Sequence, residues 1–160
     1  MKAYLDLVQH VLDNGALKKN RTGTDTLMSF GYHYKVNLQE GFPLLTTKKV
    51  FWRGVVEELL WFISGDTNNT TLNDQGVKIW NKNATRKFLD SRGLLRYKEN
   101  DLGPIYGHQW RHFNASYYNC DFNYDGIGVD QLQYIVDCLK DDKKRTSRRL
   151  IMSAWNPLQI

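Results

Sequence analysis

The sequence is poor in the features that mark several whole classes of protein. It holds two cysteines, Cys120 and Cys138, with no CxxC pair and no histidine cluster beside them. That excludes a disulfide framework and a zinc-ribbon pattern, since both need thiols paired at short spacing. Long apolar runs are also missing. The longest is LLWFI, far below the roughly twenty residues that cross a bilayer. The N-terminal MKAYLDLVQHVLDNG is amphipathic and carries acids, so it is not a secretory leader. Without a leader, the N-x-S/T triplets at Asn68, Asn83 and Asn114 reflect abundant asparagine and not glycosylation. Repeats, linkers and low-complexity tracts are absent as well. These absences leave a soluble protein of a reducing compartment, the cytoplasm first, with nucleus or mitochondrion as alternatives and no membrane partner.

What is present is a globular composition. An apolar share of 41% with 13% aromatics, over 160 residues, suffices for one domain with a substantial core. The net charge of +5 favours acidic partners without choosing among phosphates, nucleic acid and acidic membrane surfaces.

Along the chain, Tyr4, Val8 and Val11 share a helical face that ends at Asn14-Gly15. A polar loop, KKNRTGTDT, leads to LMSFGYHYKVNL, which reads as a strand with a glycine bulge. FWRGVVEELLWFISG is a helix apolar on nearly all sides, expected at the centre of the core. A loop or short capped helix follows in GDTNNTTLNDQG, then a helix near Thr85–Ser91, then a mostly irregular, aromatic stretch from Tyr97 to Asp130. Leu132, Ile135, Val136 and Leu139 mark another amphipathic helix, and KKRTSRR leads into an apolar final strand. The pattern predicts a single α+β domain over residues 1–160, helices packed on a sheet.

Several groups could carry chemistry. Glu57 and Glu58 lie among apolar neighbours, where an ionised carboxylate must be paired, edge-exposed or protonated; a proton-transfer group and a structural hydrogen bond both fit. Arg21, between hydroxyls and Gly23, suits an oxyanion or a solvated turn; no Gly-Lys-Ser/Thr follows to make a P-loop. Arg148 and Arg149 form either a solvated basic end or an anion site. Neighbours on a strand face opposite sides, so using both arginines requires loop geometry or a subunit edge. His108 and His112 in HQWRH have i, i+4 spacing, but the glutamate of HExxH and a third ligand are lacking, so no metal site is expected. Trp80 and Tyr106 fit either a core or a flat surface for a heteroaromatic ligand.

The order of motifs is more specific than any one of them. RTGT, FPLLTTKK, EELLWF, IW, DLGPIYGHQWR, SRR and SAWNP, in this sequence, resemble the thymidylate synthase family over essentially the whole chain, with VFWRGVVEELLWFI and QWRHF close to the eukaryotic type. The resemblance implies a family-like mixed sheet with packed helices, of which these residues are the N-terminal part of one domain. It implies reductive methylation of dUMP to dTMP, with 5,10-methylenetetrahydrofolate giving both carbon and hydride, after a cysteine adds to C6 of the uracil. By the same resemblance Arg21 holds the dUMP phosphate, and Arg148 and Arg149 reach it across a homodimer interface. Glu58 organises proton transfer, with Tyr106 beside the nucleophile. Phe51, Ile79, Trp80 and Asn83 face the folate, and Lys48 meets its glutamate tail.

One departure stands out. The family's Pro-Cys-His nucleophile motif follows the SAWNP segment, and the chain stops before it; neither Cys120 nor Cys138 has the flanking residues. The hydrophobic tail then reads as an interior strand that continues beyond residue 160. Met1 opening directly on the first helix argues against a fusion partner ahead of it. Two alternatives remain open. One is a deoxycytidylate hydroxymethylase on the same scaffold, which the eukaryotic-type wording disfavours. The other is a non-catalytic half-domain that binds nucleotide or RNA through its basic clusters; RNA binding fits the charge but is not predicted.

Overall fold

A computed structural model describes residues 2–20 and 23–159. The chain forms two compact units, Met1–Val50 and Phe51–Ile160.

The first unit opens with α1, Lys2–Asn14, which begins with an ion pair from Lys2 to Asp6 one turn on. It stops where the sequence predicts. The Gly15 N–H donates to the Val11 carbonyl at 2.8 Å, and a Cβ at Gly15 would stand 2.4 Å from that oxygen, so only glycine fits the turn. Strands β1 (Ala16–Lys18) and β2 (Thr26–Met28) pair antiparallel, with Leu17 opposite Leu27. The long strand expected over LMSFGYHYKVNL is corrected here: pairing ends at Met28, because β1 offers only three residues to bond. The following stretch is irregular apart from one 3-10 turn at Leu38–Glu40, capped by the Asn37 side chain. Among the described residues of this unit none is buried.

The second unit holds the core. Helix α2 spans Trp52–Ser64 and ends on Gly65, whose φ of 79° suits the left-handed cap that glycine adopts without strain. Short helices follow: α3 (Asn69–Asp74), α4 (Asn81–Ala84), α5 (Arg86–Ser91) and α6 (Tyr106–Arg111), then the longer α7 (Gln131–Lys140). Three of them start on the polar side chains that the sequence supplies for the purpose. Asn68 accepts from the Thr70 N–H, Thr85 from Phe88 and Asp130 from Gln133. Trp61, Leu72 and Val77 form the centre, with Phe62, Trp80, Leu102 and Ile105 packed around them.

Two expectations fail in this unit. Helix α2 is not buried all round: only Gly54 and Trp61 are, while Val55, Leu59 and Leu60 are about half exposed. Its neighbours α3 and α6 cover one flank, and apolar composition by itself does not summon a second layer. The final segment is not a strand either, as no strand lies beside it among the described residues. It is held by side-chain amides instead: Gln131 grips Ser153, and Gln159 receives a hydrogen bond from Gln109 at 2.7 Å. The described residues hold helices and one two-stranded antiparallel sheet, a content compatible with α+β. No helix among the described residues is long and apolar enough to cross a membrane.

Candidate active site

The second unit gathers one carboxylate and a set of aromatic rings from three helices. Glu58 and Phe62 lie one turn apart on α2, and Tyr106 and Trp110 one turn apart on α6, so each pair shares a helical face. Trp80, just ahead of α4, closes the group: its indole N–H donates to Glu58 Oε1 at 2.7 Å. The rings meet edge to face, Phe62 with Tyr106 at 5.2 Å, Phe62 with Trp110 at 5.7 Å and Trp80 with Tyr106 at 6.2 Å. A hydrogen bond to a charged acceptor in such surroundings is worth about 1.5–3 kcal/mol, enough to hold the indole plane in one orientation. The two adjacent acids thus have different partners. Glu57 lies 3.9 Å from Arg53 along its own helix, and Glu58 points to the aromatic group.

Close backbone approach makes this possible. A Cβ on Gly107 would stand 3.0 Å from the Phe62 carbonyl and 3.2 Å from that of Asp66, so glycine lets α6 rest this closely on the end of α2, and a larger residue would require the backbone to shift. Arg111 fastens the crossing. One guanidinium nitrogen donates to the Ile63 carbonyl at 3.2 Å, and another pairs with Asp130 at 2.9 Å. A cation thereby sits at the C-terminal end of α2 and an anion at the N-terminal end of α7, each on the side its helix dipole favours.

Of the residues marked in the sequence, Glu58, Trp80 and Tyr106 come together. Ile79 stands half exposed beside Trp80, and Asn83 is exposed on α4, its N–H bonded to the Trp80 carbonyl at 2.9 Å. Phe51 is exposed just before α2, its ring lying over Gly54 where a Cβ would be only 2.5 Å from Cδ1. Lys48 is exposed in the first unit. Arg21 lies outside the described residues. Arg148 and Arg149 stand exposed in a turn and not on a strand, which removes the objection that neighbours must face opposite ways. Lys144 and Arg145 fold back on Asp141 and Asp142, at 3.3 and 3.1 Å, whereas neither Arg148 nor Arg149 is ion-paired among the described residues. Phe62 and Trp110 escaped the sequence reading; their i+4 spacing from Glu58 and Tyr106 was the available signal.

A second polar group is buried apart from the marked residues. Asp101 is fully buried, and it accepts from the Tyr117 hydroxyl at 2.6 Å, the Gly103 N–H at 2.9 Å and the Cys120 N–H at 3.1 Å. With the Tyr117 proton committed to Asp101, the Thr67 hydroxyl, 2.8 Å away, donates to the Tyr117 oxygen. Burial, and then the charge of Asp101, push the Cys120 thiol up to about 11, so it is protonated and a poor nucleophile at neutral pH. His108 is buried; desolvation lowers its pKa and favours the neutral ring, whose Nε2 lies 3.3 Å from the Ala115 carbonyl. This set reads as structural.

The sequence matches the profile of the family described as Thymidylate synthase over residues 2–160. It is 54% identical over 157 residues to Thymidylate synthase of Homo sapiens, across 98% of this chain and 50% of that protein. It is 55% identical over 157 residues to the Bifunctional dihydrofolate reductase-thymidylate synthase of Zea mays, across 98% of this chain and 30% of that protein. Thymidylate synthase of Human herpesvirus 8 type P (isolate GK18) is 52% identical, with 98% of this chain and 46% of that protein covered. The chain therefore spans half or less of the length of these relatives. With nearly every residue inside the family profile, and the motif residues Glu58, Trp80 and Tyr106 gathered in one group, the chain belongs to the thymidylate synthase family.

Proposed function

We propose that these residues are the N-terminal part of a single thymidylate synthase domain, with that family's mixed sheet and packed helices, that converts dUMP to dTMP in a reducing compartment such as the cytoplasm. The observation that carries the reading is the Glu58–Trp80 hydrogen bond at the edge of the aromatic group. A carboxylate oriented by an indole N–H, next to flat rings that are still partly exposed, suits a site that must move protons beside a heteroaromatic substrate. Trp80 and its neighbour Ile79, the latter about half exposed, suit a pterin-like ring, with Phe51 and Asn83 further along the same unit. When bound, 5,10-methylenetetrahydrofolate supplies the one-carbon unit and the hydride that reduces it to a methyl group.

The chain's own residues bind, orient and move protons. Glu58 accepts a hydrogen bond from Trp80 through Oε1, which leaves Oε2 to organise water and exchange protons with the pyrimidine. Tyr106 lines the place of the attacking thiol. That thiol comes from outside these residues, since Cys120 is held protonated and Cys138 is 4% exposed in the packing of α7. Arg21, Arg148 and Arg149 bind the dUMP phosphate, the last two across a homodimer interface. That Arg148 and Arg149 are in no ion pair among the described residues supports their part of the assignment, because an exposed, unpaired guanidinium is available for a dianion. Lys48 meets the folate's glutamate tail.

The test is Glu58→Gln in the full-length protein. The amide keeps a hydrogen-bond acceptor for the Trp80 indole and removes the proton-transfer group. The expected result is a fall in kcat of about 10²–10⁴-fold, with KM for dUMP little changed. Turnover equal to that of the parent enzyme would remove Glu58 from the mechanism.

A further inference from the structure

The final segment lacks a neighbouring strand, yet one side chain does a strand's work on it. Gln131 opens α7, and its carboxamide Nε2 donates to the Ser153 carbonyl at 2.8 Å while Oε1 accepts from the Ser153 N–H at 3.0 Å. Both backbone groups of Ser153 are thus satisfied by one primary amide, as they would be by a paired strand. The same Nε2 also donates to the Gln109 carbonyl at 2.7 Å, tying Ser153 to α6, the helix whose first residue is Tyr106. Asp130 fixes Gln131 itself, since it caps α7 with one oxygen and pairs with Arg111 through the other.

What lies just upstream of Ser153 gives this attachment a consequence. Residues 147–151 form a tight turn: the Arg149 N–H donates to Ser147 Oγ at 3.2 Å, and the Ile151 N–H to the Arg149 carbonyl at 2.9 Å. Both arginines are exposed and, among the described residues, unpaired. A turn of this kind is anchored on its C-terminal side at Ser153. On its N-terminal side the chain passes through the exposed residues Lys143–Thr146.

We propose that Gln131 is a positioning residue for anion binding: by clamping Ser153 to α6 it fixes the direction in which Arg148 and Arg149 present their guanidinium groups to a phosphate dianion. The inference rests on the phosphate role assigned to the two arginines above. Losing the clamp leaves the arginines charged but free to sample many orientations, so the cost falls on phosphate binding and not on contacts with the base or sugar.

The experiment compares dUMP with deoxyuridine, which lacks the phosphate, as ligands of the full-length protein and of its Gln131→Glu and Gln131→Met variants. Gln131→Glu keeps the shape and the acceptor but loses both donated bonds. Gln131→Met removes all three. The expected result is dUMP affinity weaker by roughly tenfold in each variant, with deoxyuridine affinity changed by less than about twofold. Equal loss for both ligands would show a purely structural role and overturn the proposal, as would unchanged dUMP affinity in correctly folded variants. Gln131→Asn, one methylene short of the contacts, provides the same comparison should the methionine variant fail to fold. Parent protein that binds dUMP no better than deoxyuridine would instead overturn the phosphate assignment itself, and the inference with it.

Discussion

At the scale of single residues, environment separates groups that look alike in the sequence. Glu57 and Glu58 are adjacent acids in one apolar helix, yet one neighbours an arginine on its own helix and the other orients an indole from 22 residues away. Nothing in local spacing reveals the second contact, because it depends on where α4 packs. Cys120 shows the same principle with the opposite result. Its loop is rich in aromatic and polar residues, but burial and the charges of Asp101 and Asp121 raise its pKa to about 11. In the native protein it should react with iodoacetamide only slowly near neutral pH, with a rate that climbs about tenfold per pH unit toward that value. Alkylation at pH 8 as fast as that of an unstructured cysteine peptide would contradict the environment described. The folded pKa lies above the unfolded one, so the protonated thiol's contribution is complete below the unfolded value and is lost as pH rises toward about 11.

At the scale of elements, those legible in the sequence are the ones that carry their own end signals. Helix α1 stops at Asn14-Gly15, α5 starts on Thr85, and α7 follows the spacing of Leu132, Ile135, Val136 and Leu139 from its Asp130 cap. The strand expected from Leu27 onward, of which only Leu27 and Met28 pair, and the one expected from Leu150 onward carry no such signal. A strand exists only by virtue of its partner, and the sequence of one strand does not say whether a partner stands beside it. The crossing of α2 and α6 also depends on a feature with no periodic signature, the single Gly107. In the full-length protein Gly107→Ala should push α6 away from the Phe62 and Asp66 carbonyls and destabilise the fold by about 1–3 kcal/mol, read as a lower denaturant midpoint with unchanged slope. An unchanged midpoint would mean that the contact is looser than the geometry indicates. Activity should fall along with stability, since the same crossing sets Tyr106 against Phe62 and Trp80.

At the scale of the whole molecule, the two units differ in kind. Residues 51–160 own a core around Trp61, Leu72 and Val77, while the described residues of the first unit bury nothing. The candidate site follows that division. Glu58, Trp80 and Tyr106 are gathered by the packed unit, and the motif order that marked them in the sequence pointed to residues the fold brings together. The exposed arginines of the 147–151 turn and the half-exposed rings around Trp80 are surfaces suited to a phosphate and to a flat ring, the two ends of the proposed chemistry. The proposed reaction is checked by incubating the full-length protein with dUMP and 5,10-methylenetetrahydrofolate and measuring dTMP and dihydrofolate together. Thymidylate synthase activity requires the two products to appear mole for mole, with dCMP left unchanged. No dTMP, or hydroxymethylation of dCMP in place of methylation of dUMP, would contradict it.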